Sequence, residues 1–208
     1  MPRAYLFAFL LYFFLRAVIL PQLDEISPRA RSLGTVNTVV RRKSGSLSGH
    51  NTDCESFAAE LNRFGIEVSG KKCVILGVGP LSEAVKTVLL ERNARTVQIL
   101  FPEREVLNRA RNVDLLLNTV GAFGDRKVHL APLPAERLSN VREVLDLTAL
   151  EQPSGLLLEA WARDIPAYGG LYMFIEGLRR SAELFLDESI PKKATEELYD
   201  RFSKEYNR

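Results

Sequence analysis

An α/β fold with a parallel sheet is the class this sequence predicts, and three observations predict it. The first is Cys73-Val74-Ile75-Leu76, a continuous apolar run of the kind that a parallel strand shows when both its faces are buried. The second is the turn that follows, Gly77-Val78-Gly79-Pro80-Leu81-Ser82, which opens a helical pattern running to about Arg92. The third is alternation: strand-like runs at 96–101, 113–117 and 141–147, with helical stretches between some of them. At 208 residues the chain can bury a real core, as one large domain or two small ones.

Composition narrows the function. Charged residues make up 26% and hydrophobic residues 46%, as in ordinary globular proteins. A net charge of +2 and the lack of an aromatic-basic stripe argue against nucleic acid as a partner. Cys54 and Cys73 are the only cysteines and His50 and His129 the only histidines, in no metal-ligand spacing, so no metal site is expected. Unpaired thiols suit a reducing compartment, and the expectation is cytoplasmic.

From the N-terminus, residues 4–15 form an unbroken apolar run behind Arg3. Its twelve residues fall short of the ~20 a spanning helix needs. No small-residue cleavage site clearly follows. A buried segment is expected rather than a membrane contact. Ser27 before Pro28 reads as a helix N-cap with proline at the first helical position, and that helix should stop near Gly34. Gly34-Thr35-Val36-Asn37-Thr38-Val39-Val40 is then a strand, residues 41–46 a turn, and Gly49-His50-Asn51-Thr52-Asp53 a second short strand. The two arms deliver Asn37, Thr38, Asn51, Thr52 and Asp53. Asn and Thr both donate and accept while an ionised Asp only accepts, which suits a small polyhydroxylated ligand. A plainer alternative has Asn51 and Asp53 only shaping a turn and capping the next helix. That helix covers 54–64, with Phe57, Leu61 and Phe64 at helical spacing and Gly65 as its stop. Helical patterns at 171–186 and 194–206 finish the chain.

The glycine turn carries the most specific local chemistry. Gly77 permits a tight turn, Gly79 lets backbone approach a pyrophosphate, and Ser82 is small where a third glycine is common. The helix N-terminus supplies N–H groups and partial positive charge, although Pro80 contributes no N–H. A Rossmann-like dinucleotide site is favoured over a merely structural turn. Downstream, Glu103 would suit a ribose 2′-hydroxyl and Arg104 a 2′-phosphate, so these residues leave the choice of dinucleotide open.

In combination and in order, Leu23-Asp24-Glu25-Ile26-Ser27, residues 34–38, residues 49–53, the glycine turn, residues 114–118, Asp146 and Gly170-Leu171-Tyr172-Met173 resemble the shikimate dehydrogenase family. The resemblance covers nearly all of 16–191. It implies a Rossmann-like parallel-sheet cofactor domain at 71–167 and an incomplete α/β substrate domain at 1–70. C-terminal helices at 168–208 would return to the substrate domain. It also implies reversible hydride transfer between NADP and shikimate or 3-dehydroshikimate, with NAD left open as cofactor. Asp53 matches the catalytic aspartate, and Arg16 falls where the family has its catalytic lysine. Asn37 and Thr52 match substrate-binding positions. Gly77, Val78, Gly79, Asn118 and Gly170 match the cofactor site. Expected partners are thus a small-molecule substrate and no nucleic acid, with a homodimer allowed.

The departures from the family are specific. Arginine keeps the charge of lysine but does not release a proton near neutral pH. Residues 12–15 are apolar where the family has a substrate-facing threonine segment. The first βαβ unit, with its serine pair for the substrate carboxylate, has no counterpart. Phe101-Pro102-Glu103 replaces an Asn-Arg-Thr grip on the 2′-phosphate, and Ala149 replaces a tyrosine. Gly177 stands where a glutamine contacts substrate, and Glu176 beside it would point elsewhere on a helix. A degenerate dinucleotide-binding relative, or an incomplete chain of a longer enzyme, is the alternative expectation.

Overall fold

The computed structural model describes residues 8–10, 15–100, 112–120, 138, 140–150 and 152–206. The first part of the chain builds a small mixed sheet from β1 (Ala8–Leu10), β2 (Glu25–Ile26), β3 (Thr38–Arg41) and β4 (Leu47–His50), in the order β1-β3-β4-β2. The middle of the N-terminal apolar run is thus a strand, antiparallel to β3 at the sheet edge. β3 and β4 are antiparallel, joined through a turn in which Arg42 N donates to Ser46 O at 2.8 Å. β2 joins β4 in parallel. Helix α1 (Leu15–Val18) precedes β2, and α2 (Pro28–Leu33) follows it. Ser27 caps α2 by accepting from Ala30 N at 3.3 Å, and Gly34 ends it in the left-handed conformation. Both ends fall where the sequence puts them.

Helix α3 (Asp53–Phe64) leads out of this sheet, closed by Gly65. The second sheet follows: β5 (Lys72–Leu76), α4 (Pro80–Glu91), β6 (Thr96–Leu100), β7 (Leu115–Asn118), β8 (Val144–Asp146), α5 (Gly155–Trp161) and β9 (Ala167–Gly169). Its strands are all parallel, in the order β6-β5-β7-β8-β9. The chain reverses direction across the sheet between β5 and β7, where open α/β sheets place their ligands. β8 is shorter than the expected 141–147, because Val141 makes only an isolated bridge to Val113. β9, an Ala-Tyr-Gly strand, has no apolar run to announce it.

Helices α6 (Leu171–Leu186) and α7 (Lys193–Tyr206) complete the described chain. α6 packs along α3, and α7 along α6. One core cluster joins Cys54, Phe57 and Leu61 of α3 to Ile75 of β5, Val85 and Leu89 of α4, and Met173 of α6. A second, on the other face of the large sheet, holds Val74, Leu116, Val144, Leu157 and Ala160. Among the described residues no helix is long and apolar enough to cross a membrane.

Candidate active site

Four of the predicted residues meet at the start of α3. Arg16 is pinned by its carbonyl, which accepts from Val36 N at 2.9 Å. Asn37 enters β3 with its N–H on His50 O, also 2.9 Å, so the strand pairing fixes its side chain beside the end of β4. The Asn37 amide then organises the cluster. Its Oδ1 accepts from Thr52 N at 3.1 Å and Thr38 Oγ1 at 3.0 Å. Its Nδ2 donates to Thr52 Oγ1 at 3.1 Å and to Asp53 Oδ1 at 2.8 Å. The other Asp53 oxygen accepts from Arg16 Nη1 at 2.6 Å, a charge-assisted hydrogen bond. Asp53 is the first residue of α3, where the helix dipole also favours negative charge. Its side chain and that of Arg16 remain 13% and 14% exposed, enough for contact with a small molecule.

The plainer reading of this stretch holds for Asn51 alone. Asn51 Oδ1 accepts from Asp53 N at 2.9 Å and its Nδ2 donates to Thr35, so it shapes the turn. The N-cap, Thr52, makes no side-chain capping bond, and Asp53 points its carboxylate at Arg16 and Asn37.

Two participants were not evident from the sequence. Ser56 Oγ donates to Thr52 O at 2.7 Å, and Ser181 of α6 pairs with Thr38 Oγ1 at 2.9 Å. Gly177, one turn before Ser181, faces the same hydroxyls: a Cβ there would lie 3.5 Å from Ser56 Oγ and 3.9 Å from Thr52 Oγ1. Spacing alone puts positions 177 and 181 on one helix face, but nothing within α6 says what that face meets. Glu176 turns away as expected, buried against Arg179 (2.7 and 2.8 Å) and Thr195 (2.7 Å).

At the β5/β7 switch point the glycine turn packs tightly against the loop after β7. Gly77 has φ of 113°, and a Cβ there would sit 2.5 Å from Thr119 Oγ1 and 2.8 Å from Val120 Cγ2. Ser82 Oγ donates back to Gly77 O at 2.9 Å, tightening the turn. Val78 is exposed between the glycines, and Gly79 is the N-cap of α4 without a side-chain cap. The first-turn amides of Leu81 and Ser82 therefore remain for an anion, while Pro80 offers none. The residues present fit a dinucleotide diphosphate. Glu103 and Arg104, on which a choice between dinucleotides would turn, lie outside the described residues.

Asn118 and Gly170 have structural duties at the same edge of the sheet. Asn118 Nδ2 donates to Asp146 Oδ1 (2.9 Å) and Thr148 Oγ1 (3.3 Å), and its Oδ1 accepts from Val120 N (3.1 Å). Its side chain thus braces the loops after β7 and β8. A Cβ on Gly170 would come within 2.5 Å of Leu147 O and 2.6 Å of Leu147 Cα, so backbone packing demands glycine there. The two halves of the site are joined through Cys54, next to Asp53, whose Sγ lies 3.5 Å from Ala84 O of α4. Burial pushes that thiol up to about 12, making it a packing group rather than a nucleophile.

Two turns along α3, Glu60 is fully buried and its Oε2 accepts from Met173 N at 2.5 Å. It caps the first turn of α6, whose own N-cap, Gly170, has no side chain. Its Oε1 has no partner among the described residues. Burial pushes the Glu60 carboxyl up to about 8, against smaller opposing contributions from the Met173 amide and Arg63. Among the described residues no group of three or more His, Cys, Asp or Glu could hold a metal.

A parallel sheet with a glycine turn at its switch point, set beside a polar cluster on a small mixed sheet, defines a protein of the dinucleotide-binding α/β class. Comparison with known proteins narrows the class. A shikimate dehydrogenase (NADP(+)) of Thermus thermophilus is 33% identical over 172 residues, covering 76% of this chain and 64% of that protein. One from Carboxydothermus hydrogenoformans is 33% identical over 120 residues, 55% of this chain and 41% of its own length. The solved shikimate 5-dehydrogenase of Thermus thermophilus in complex with NADP(H) and shikimate superposes with a TM-score of 0.79 at 27% identity, covering 96% of this chain and 80% of that one. Shikimate dehydrogenase 1 from Peptoclostridium difficile gives 0.83 at 25% identity, covering 91% of this chain and 74% of that one. No family model matches. Over most of its length the chain is similar to shikimate dehydrogenases. It spans less than two thirds of the length of the curated relatives it matches first.

Proposed function

We propose that this chain is an oxidoreductase that moves a hydride reversibly between NADP(H) and shikimate or 3-dehydroshikimate. The observation that carries the reading is the convergence of Arg16, Asn37, Thr52 and Asp53 on one partly exposed point beside α4. With its diphosphate held at the glycine turn, the cofactor would supply the hydride chemistry through its nicotinamide. The chain's residues handle the proton and the geometry. As the substrate carbon gives up its hydride, Asp53 accepts the proton of the reacting hydroxyl, and returns it in the reverse direction. Arg16 donates a hydrogen bond toward the same oxygen and keeps its own proton throughout. Asn37 holds the carboxylate in aim and Thr52 offers a hydroxyl to the substrate. Relatives of this family support the cofactor and substrate, since one is solved with NADP(H) and shikimate together. The buried thiols Cys54 and Cys73 suit a cytoplasmic setting. Reduced-cofactor absorbance should rise with shikimate and NADP present. It should not rise for Asp53→Asn, and equal rates for the two proteins would refute Asp53 as the base.

A second reading is favoured by one observation: Arg16 occupies Asp53 Oδ2 at 2.6 Å with a group that cannot pass a proton on. On this reading the chain binds dinucleotide without turnover. Activity that appears only in Arg16→Lys would support it.

A further inference from the structure

We propose that the amino-terminal edge of the large sheet carries a second ligand site, in which Arg95 and Arg142 grip the phosphate of a small soluble phosphomonoester. All five strands of that sheet are parallel, so the residues just ahead of them gather on the edge opposite the glycine turn. A cavity of about 650 Å³ opens on this edge. Its lining includes Lys71 ahead of β5, Arg95 ahead of β6, Asp114 ahead of β7, and Arg142 and Glu143 ahead of β8. Open α/β sheets place their nucleotides and substrates at the carboxyl ends of the strands, so this recess is separate from the candidate active site.

The ion pairs around the cavity say what it accepts. Lys71 is already engaged, with its Nζ 3.1 Å from Glu143 Oε2. Asp114 lies between the two arginines, its oxygens 3.8 Å from Arg95 Nη2 and 3.5 Å from Arg142 Nη1. Its Oδ2 is held instead by Lys72 N at 2.8 Å, at the start of β5. Charge-assisted hydrogen bonds run to about 2.7–2.9 Å, so neither guanidinium is docked on Asp114. Every other described arginine in an ion pair has a carboxylate oxygen within 3.0 Å. Among the described residues, then, Arg95 and Arg142 keep their donors, and at 65% and 82% exposure a ligand can reach both side chains. Three cations face two carboxylates in this lining, which favours an anion. Each guanidinium offers a planar fork that matches two oxygens. A carboxylate fills one fork, whereas a phosphomonoester brings three terminal oxygens and nearly two charges, enough for both forks across Asp114. The cavity exceeds the size of a phosphate ion and leaves room for the esterified body.

The test is calorimetric titration with glycerol 3-phosphate and with inorganic phosphate, at constant ionic strength. Three proteins are compared: the unsubstituted chain, the pair Arg95→Gln with Arg142→Gln, and the pair Arg95→Lys with Arg142→Lys. Glycerol 3-phosphate should bind the unsubstituted chain more tightly than inorganic phosphate does. The glutamine pair should raise its Kd at least about tenfold, through loss of charged hydrogen bonds, and the lysine pair only a few-fold. Phosphate bound at the glycine turn contributes equally to all three proteins, so the difference reads the opposite edge alone. Glycerol 3-phosphate at about ten times its Kd should also raise Tm by about 3–6 °C in the unsubstituted chain and by less in the glutamine pair. Both substituted chains should melt near the unsubstituted one without ligand, because the side chains removed are exposed. No binding to the unsubstituted chain, or an equal Kd in the glutamine pair, would overturn the proposal. Turnover of shikimate does not enter this test, so the proposed function stands or falls separately.

Discussion

One helix carries two carboxylates in opposite circumstances. Asp53 and Glu60 lie two turns apart on the same face of α3. Asp53, at the helix N-terminus and partly exposed, has a guanidinium on one oxygen and an amide on the other. Glu60, fully buried against α6, has one backbone amide and one oxygen with no partner among the described residues. The first environment surrounds the carboxylate with donors, while burial in the second opposes charge on Glu60. Proximity on a helix therefore says little about chemistry. The neighbours brought in from α1, β3 and α6 set the two apart: the proposed function gives Asp53 the reaction, and Glu60 holds α3 to α6.

The sharpest way to break this comparison is to neutralise each carboxylate in turn. Asp53→Asn should lower kcat/KM for shikimate by about 10³-fold, within the range of a lost general base. Glu60→Gln should leave turnover within a few-fold of the unsubstituted chain. Comparable losses from both would erase the distinction.

Next comes the pH dependence of stability. With its folded pKa raised to about 8 from 4.5, Glu60 binds more protons folded than unfolded between those values. Stability contributed by this group is thus greatest below pH 4.5 and is lost as pH rises toward 8, by up to about 1.4 kcal/mol per pH unit. Thermal melts from pH 5 to 8 should show that slope in the unsubstituted chain and a flatter one in Glu60→Gln. Parallel slopes would place Glu60 in a polar environment after all.

A smaller effect probes the helix that Glu60 caps. Gly170→Ala forces a methyl against the Leu147 backbone and should cost about 1–3 kcal/mol, read as a lower denaturant midpoint. The smallest expected change is Arg16→Lys. It keeps a cation beside Asp53 but introduces a group that can titrate, so kcat should move a few-fold and gain an alkaline limb in its pH profile.

The large sheet was legible where its strands are buried on both faces, because 73–76 is one apolar run that needs no tertiary information. Ser27-Pro28 and Gly34 likewise announce α2 through local backbone chemistry. β9 was not legible, since Ala-Tyr-Gly takes its strand character from pairing with β8. In the site, Asn37, Thr52 and Asp53 were found by motif, and Arg16 by its distance from Asp24. Ser181 was missed because it meets Thr38 across 143 residues, and the capping by Glu60 because Met173 lies 113 residues away. Asn118 and Gly170 were expected at the cofactor site from the resemblance, and each also meets a demand from the protein's own loops and backbone that the sequence does not announce.

The most direct test of the central claim is the initial rate of NADP reduction by the purified chain as shikimate is increased. The account predicts a rate that saturates in shikimate and scales with protein concentration. A chain that binds both ligands yet forms no reduced cofactor would contradict it.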